Sequence, residues 1–135
     1  DITRFPQSCQ DVLQKAKEET AKNTTIDLVV ALNYGGRDEI RRAFSSILMD
    51  YDEGKISSDG ITEDLIASHL DTAAFSDPEL LIRTSGEYRL SNFMLWQLSY
   101  SEMYIVDTLW PEFTPSHLLE AIIAYQTRDR RLGRS

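Results

Sequence analysis

Residues 80–110 read LLIRTSGEYRLSNFMLWQLSYSEMYIVDTLW. The apolar run Leu80, Leu81 and Ile82 ends in Arg83, and Thr84-Ser85-Gly86-Glu87 follows before Arg89, six positions beyond Arg83. Phe93 to Tyr100 is apolar on nearly every side, which predicts a buried helix, and Met103 to Val106 reads as a strand. Strand, loop, helix and strand in that order form the unit of a parallel sheet. The loop has the chemistry of an anion grip. A Thr-Ser-Gly turn at the carboxyl end of a strand exposes backbone N–H groups, and Ser91 is placed to cap the next helix, whose N-terminus favours negative charge. Arginine adds planar paired donors matched to phosphate oxygens, so the residues point to a phosphate or diphosphate. Glu87 and Glu102 are nearby carboxylates of the kind that hold Mg²⁺ beside a diphosphate. The alternative is that Arg83 and Arg89 are surface residues paired with Glu87 and Asp107, and exposed pairs of that kind contribute little.

Upstream, Ile26 to Leu32 is almost continuously apolar, as expected of a strand buried on both faces of a parallel sheet. Asn33-Tyr34-Gly35-Gly36 follows, and Ile40, Ala43, Phe44, Ile47 and Leu48 then recur at helical spacing. The Gly-Gly pair fits either a phosphate-binding turn or a packing turn with positive φ. Before it, a helix is expected from about Pro6 to Asn23, with Cys9, Val12, Leu13 and Ala16 on its buried face. Thr62 caps a short helix that has His69 at its end and Ile61 with Ile66 as a staple. Thr114-Pro115 opens the last helix, with His117 in its first turn and Leu118, Leu119, Ile122, Ile123 and Tyr125 on its buried face. Both histidines are read as surface residues rather than catalytic ones. The fold class is therefore α/β, a parallel sheet flanked by helices, although three short strands are few for a complete sheet.

The 135 residues, 41% hydrophobic and 10% aromatic, suit one domain or part of one. Cys9 is the only cysteine, which excludes an internal disulfide. A net charge of −8 argues against a nucleic-acid surface. The charge is uneven: the last eight residues hold four arginines against Asp129, a net of +3, so the preceding residues carry −11. All six basic residues beyond Lys55 are arginines, a bias toward planar anion recognition. No apolar run reaches the roughly 18 residues of a membrane span.

The segments Asn33-Tyr34-Gly35-Gly36-Arg37, Arg83-Thr84-Ser85-Gly86-Glu87, Arg89-Leu90-Ser91-Asn92-Phe93, Leu95-Trp96-Gln97 and Leu109-Trp110-Pro111-Glu112-Phe113 together resemble the cis-prenyltransferases. These undecaprenyl diphosphate synthase-like enzymes join isopentenyl diphosphate to an allylic diphosphate with Z stereochemistry and require Mg²⁺. The resemblance implies that Arg83, Arg89 and Ser91 hold the diphosphate of isopentenyl diphosphate, with Leu90 in the same binding segment and Glu87 an acid beside it. It implies a Mg²⁺-associated role for Glu102, and it makes Arg131 and Gly133 part of an RxG tail that reaches a dimer partner's site.

The family's DGN-type segment, whose aspartate is the principal metal ligand, has no counterpart in these residues. The chain is accordingly expected to be the C-terminal portion of one cis-prenyltransferase domain over residues 1–135, without a catalytic residue of its own and inactive alone. Expected partners are the two diphosphates, the missing N-terminal half and a homo- or heterodimer mate. Membrane contact is expected only through the lipid product, and the compartment is open between cytoplasm and organelle, a plastid included. The alternative is a non-catalytic subunit that lends its RxG tail to a catalytic chain. Ser85 stands where bacterial members usually have glycine, which favours a eukaryotic source.

Overall fold

The computed structural model describes residues 2–128, which fall into two compact units, the chain passing from one to the other between Tyr34 and Gly35. In the first unit, α1 spans Gln7–Thr20, and Pro6 stands just before it as the cap. Its expected apolar face is not buried: α1 buries none of its residues and Cys9 is exposed, because a single helix has no second apolar layer within its unit. Residues 26–32 do not form the expected strand. Ile26 is 80% exposed and Leu28 86%, in extended backbone without a ladder. A strand is created by its partner's ladder, and among the described residues the sheet pairs only Leu80–Arg83 with Glu102–Ile105.

In the second unit, α2 (Gly36–Asp52) follows the Gly-Gly turn as expected. The short α3 (Glu63–Ser68) is capped by Thr62, whose side chain accepts the Leu65 N–H at 3.2 Å. The strands β1 (Leu80–Arg83) and β2 (Glu102–Ile105) pair in parallel, with Leu80 opposite Glu102 and Arg83 opposite Ile105. Among the described residues the sheet thus has two strands rather than three. α4 (Pro115–Gln126) opens on a capping box in which Thr114 and His117 satisfy each other's backbone. The Thr114 N–H donates to His117 Nδ1 at 3.0 Å, which puts the ring proton on Nε2 and explains a histidine in the first turn.

Two expected faces differ. On α2, Ala43 and Ile47 are buried but Phe44 and Leu48 are exposed. On α4, Ala121 is buried while Leu118, Leu119, Ile122 and Ile123 are exposed. The small core also holds Leu70, Leu98 and two polar residues, Glu39 and Gln97. It is built at the start of α2 and against segments 70–72 and 91–98, not against a broad sheet.

The helix expected over Phe93 to Tyr100 is absent. The segment is a run of turns, with Ser91 at φ +49°, Asn92 at +63° and Met94 at +42°. Left-handed backbone at three positions is incompatible with an α-helix starting there, so Ser91 is not an N-cap. The chain is wrapped to deliver particular side chains rather than an apolar cylinder.

Candidate functional site

Arg83 is the last residue of β1, so its backbone is held by the ladder, and the Val106 N–H donates to the Arg83 carbonyl at 2.9 Å. Its Nη2 donates to Ser91 Oγ at 3.4 Å and lies 3.6 Å from Glu87 Oε2. Arg89 Nη2 contacts the same Glu87 oxygen. That oxygen is buried without a hydrogen bond of good geometry, and the two guanidinium charges are what compensate it. Both arginines therefore do pair with Glu87, as in the plainer of the two readings. The same loop also encloses an open hollow of about 440 Å³, lined by Ile82, Arg83, Thr84, Ser85, Glu87 and Arg89.

The turn itself does not work as expected. Ser85 at φ +69° and Gly86 at +62° are both left-handed, but their N–H groups are already used. Ser85 N–H donates to the Thr108 carbonyl at 3.0 Å and Gly86 N–H to the Val106 carbonyl at 3.0 Å. The backbone N–H groups of Ser85 and Gly86 are therefore already paired with backbone carbonyls. The glycine is needed twice over, since a Cβ on Gly86 would stand 2.8 Å from Asp107 Oδ1.

Three residues given no role from the sequence, Asn92, Gln97 and Glu39, make the long-range contacts of segment 91–98. Asn92 accepts the Gly36 N–H on its carbonyl at 2.7 Å and the Arg37 N–H on Oδ1 at 2.9 Å. The start of α2 is thereby capped from a residue far along the chain, and Gly35 supplies no side-chain cap. The Gly-Gly pair is a packing turn, yet for close approach rather than positive φ. A Cβ on Gly35 would stand 2.8 Å from Asn92 Nδ2, and one on Gly36 3.0 Å from Leu95 Cγ.

Gln97 Nε2 donates to both Glu39 oxygens at 3.1 Å and to Thr72 Oγ1 at 3.0 Å. The Asp71 N–H donates to Glu39 Oε1 at 2.9 Å. The available signals were the paired glycines, which mark a close approach, and a glutamine inside an apolar run.

Glu102 lies at the other end of the ladder from Arg83, three register positions or roughly 10 Å along the strand. Its Oε2 accepts from Arg128 Nη1 at 2.7 Å. Among the described residues no three His, Cys, Asp or Glu side chains converge to hold a metal ion, so these residues by themselves do not fit a Mg²⁺ site. Leu90 is half-buried beside Ser91. Arg131 and Gly133 lie outside the described residues.

His69 is not the surface residue expected. It closes α3 with its ring largely covered, Nδ1 2.9 Å from Ser46 Oγ and Nε2 3.5 Å from Asp50 Oδ2. It ties α3 to α2.

Outside those residues, Arg42 forms two hydrogen bonds with Asp71, at 2.8 Å and 2.6 Å, and one with Asp38. The Arg42 bonds hold the Asp71 carboxyl below its ordinary range, and Asp71 in turn raises the Arg42 guanidinium. This pair faces solvent, and its evident role is to brace segment 70–72 against α2.

Residues 1–133 match the family Prenyltransf, described as "Putative undecaprenyl diphosphate synthase". The chain is 51% identical over 134 residues to an isoprenyl transferase of Chlamydia pneumoniae, covering 99% of this chain and 54% of that protein. It is 55% identical over 132 residues to an isoprenyl transferase of Halalkalibacterium halodurans, covering 98% and 52%. Among solved structures it is similar to lavandulyl diphosphate synthase from Lavandula x intermedia in complex with dimethylallyl diphosphate. The TM-score is 0.93 at 37% identity, over 99% of this chain and 58% of that one. A "probable undecaprenyl diphosphate synthase" of Campylobacter jejuni gives 0.81 at 30% identity, over 99% and 60%. The chain thus spans about half the length of the curated relatives it matches. No described helix is long and apolar enough to cross a membrane.

Proposed function

The chain belongs to the undecaprenyl diphosphate synthase family, and on that premise we propose that its arginine loop binds the diphosphate of isopentenyl diphosphate for cis-prenyl transfer. The observation that carries this reading is the convergence of Arg83 and Arg89 on the Glu87 carboxylate at the wall of an open hollow, with the Ser91 hydroxyl against Arg83 Nη2. Diphosphate oxygens are acceptors of the same kind as Glu87 Oε2 and bring more charge, so they compete for the two guanidiniums that Glu87 now holds. Arg83 is set on a ladder end and changes little on binding. Such a fixed donor orients the isopentenyl group, so that bond formation with a bound allylic diphosphate becomes effectively intramolecular.

In this reading the chain supplies the isopentenyl diphosphate site and no complete catalytic centre. Glu102 is one candidate carboxylate for Mg²⁺, and such a site needs ligands beyond those the described residues bring together. Arg131 and Gly133 are assigned to the RxG tail of a homo- or heterodimer.

Isothermal titration of the chain with isopentenyl diphosphate tests the reading. Arg83→Ala and Arg89→Ala are each expected to weaken binding about tenfold or more. If the unaltered chain binds no isopentenyl diphosphate, the site assignment is wrong, and the non-catalytic partner role becomes the better account.

A further inference from the structure

We infer that Asn92, which lies next to the anion loop, is a positioning residue for the diphosphate site; this rests on the reading above. Asn92 stands between the start of α2 and the Arg83 side chain. Its backbone carbonyl and Oδ1 take the N–H groups of Gly36 and Arg37, so it is fastened to the first turn of α2. Its immediate neighbour Ser91 has its hydroxyl 3.4 Å from Arg83 Nη2. Both residues are left-handed, at +49° for Ser91 and +63° for Asn92. Two successive residues in that region reverse the chain tightly, and they persist only when their surroundings hold them. The clamp on α2 is such a holder.

The fit is close on both sides. Gly35 leaves room for the Asn92 amide only because it has no Cβ, and Gly36 leaves room for the Asn92 carbonyl, 3.3 Å from where a Cβ would be. The first turn of a 17-residue helix is thus shaped to receive one side chain. A capping side chain at position 35 would satisfy the helix equally well, so helix stability alone does not call for a residue from the loop. What the distant cap adds is a fixed path for the chain that carries Ser91.

That distinction gives the test. Asn92→Gly keeps the left-handed backbone without strain and removes Oδ1. Gly35→Ser in that background restores a local cap to α2, because Gly35 has the extended backbone of an N-cap and the space left by the amide is open. Thermal midpoint and isopentenyl diphosphate affinity are measured on the unaltered chain, Asn92→Gly, the Asn92→Gly/Gly35→Ser double variant and Arg83→Ala. The expected result is that Asn92→Gly weakens binding about fivefold to tenfold. The double variant is expected to recover the midpoint but not the affinity, and amide exchange over residues 84–93 to stay faster than in the unaltered chain.

Recovery of affinity together with the midpoint would show that Asn92 only caps a helix, and would overturn the inference. So would an affinity unchanged in Asn92→Gly while Arg83→Ala loses binding, with the site reading left intact. No binding by the unaltered chain, or none lost in Arg83→Ala, defeats the site reading and this inference with it.

Discussion

Gln97 Nε2 donates to both carboxylate oxygens of Glu39 at 3.1 Å, and neither residue is more than 2% exposed. With the Asp71 N–H and Thr72 Oγ1, this places a buried carboxylate at the junction of α2, segment 70–72 and segment 91–98. Gln97→Leu keeps most of the volume and strips Glu39 of a donor that water does not replace. It is expected to cost about 2–3 kcal/mol in urea unfolding. A loss below about 0.5 kcal/mol would mean that the glutamine is a spectator.

Gly86→Ala combines two penalties, a left-handed backbone and a Cβ directed at the Asp107 carboxylate. The expected loss is about 2 kcal/mol or more, with weaker isopentenyl diphosphate binding because Glu87 is displaced with the turn. Ser85→Gly runs the other way, relieving left-handed strain at the cost of chain entropy, for a net gain of about 0.5 kcal/mol. Chemical unfolding of the two variants side by side should give opposite signs, and equal signs would contradict the loop geometry.

The Arg42–Asp71 pair should leave a mark on acid stability. Arg42 lowers the Asp71 pKa in the folded chain below its ordinary value of about 3.8. A carboxyl depressed by folding stabilises fully above the unfolded value, and that contribution is lost as pH falls through the folded value. Both side chains are nearly half exposed, so the effect is a few tenths of a kcal/mol and is weakened by salt. The stability difference between the unaltered chain and Arg42→Gln should therefore shrink as pH falls below the ordinary carboxylate value of about 3.8. A difference that stays constant as pH falls would show that Arg42 acts through packing alone.

His117→Ala removes the half of the α4 capping box in which the imidazole accepts the Thr114 N–H, and about 1 kcal/mol of stability should go with it. His117→Glu substitutes the usual capping-box carboxylate and is expected to restore most of the loss. Circular dichroism melts decide the matter, since a glutamate variant no better than alanine would rule out capping as the reason for the histidine.

Sequence alone determined what depends on neighbours a few positions away. The Thr62 and Thr114 caps, a helix after the Gly-Gly turn, the strand ending at Arg83 and a strand near 103–106 were all legible. Each is set by backbone geometry and side chains within about one turn or one loop. Only the tertiary structure decided whether an apolar pattern finds a partner. The run 26–32 has the composition of a central strand and no ladder, and 93–100 has the composition of a buried helix yet is wound into left-handed turns. Periodicity records how apolar a face is, whereas the contacts that choose between helix and turn here join Asn92 to Arg37 and Gln97 to Glu39, more than fifty residues apart. Hydrogen bonds over that span leave no local pattern in the sequence. They hold the segment that carries Ser91 to Arg83.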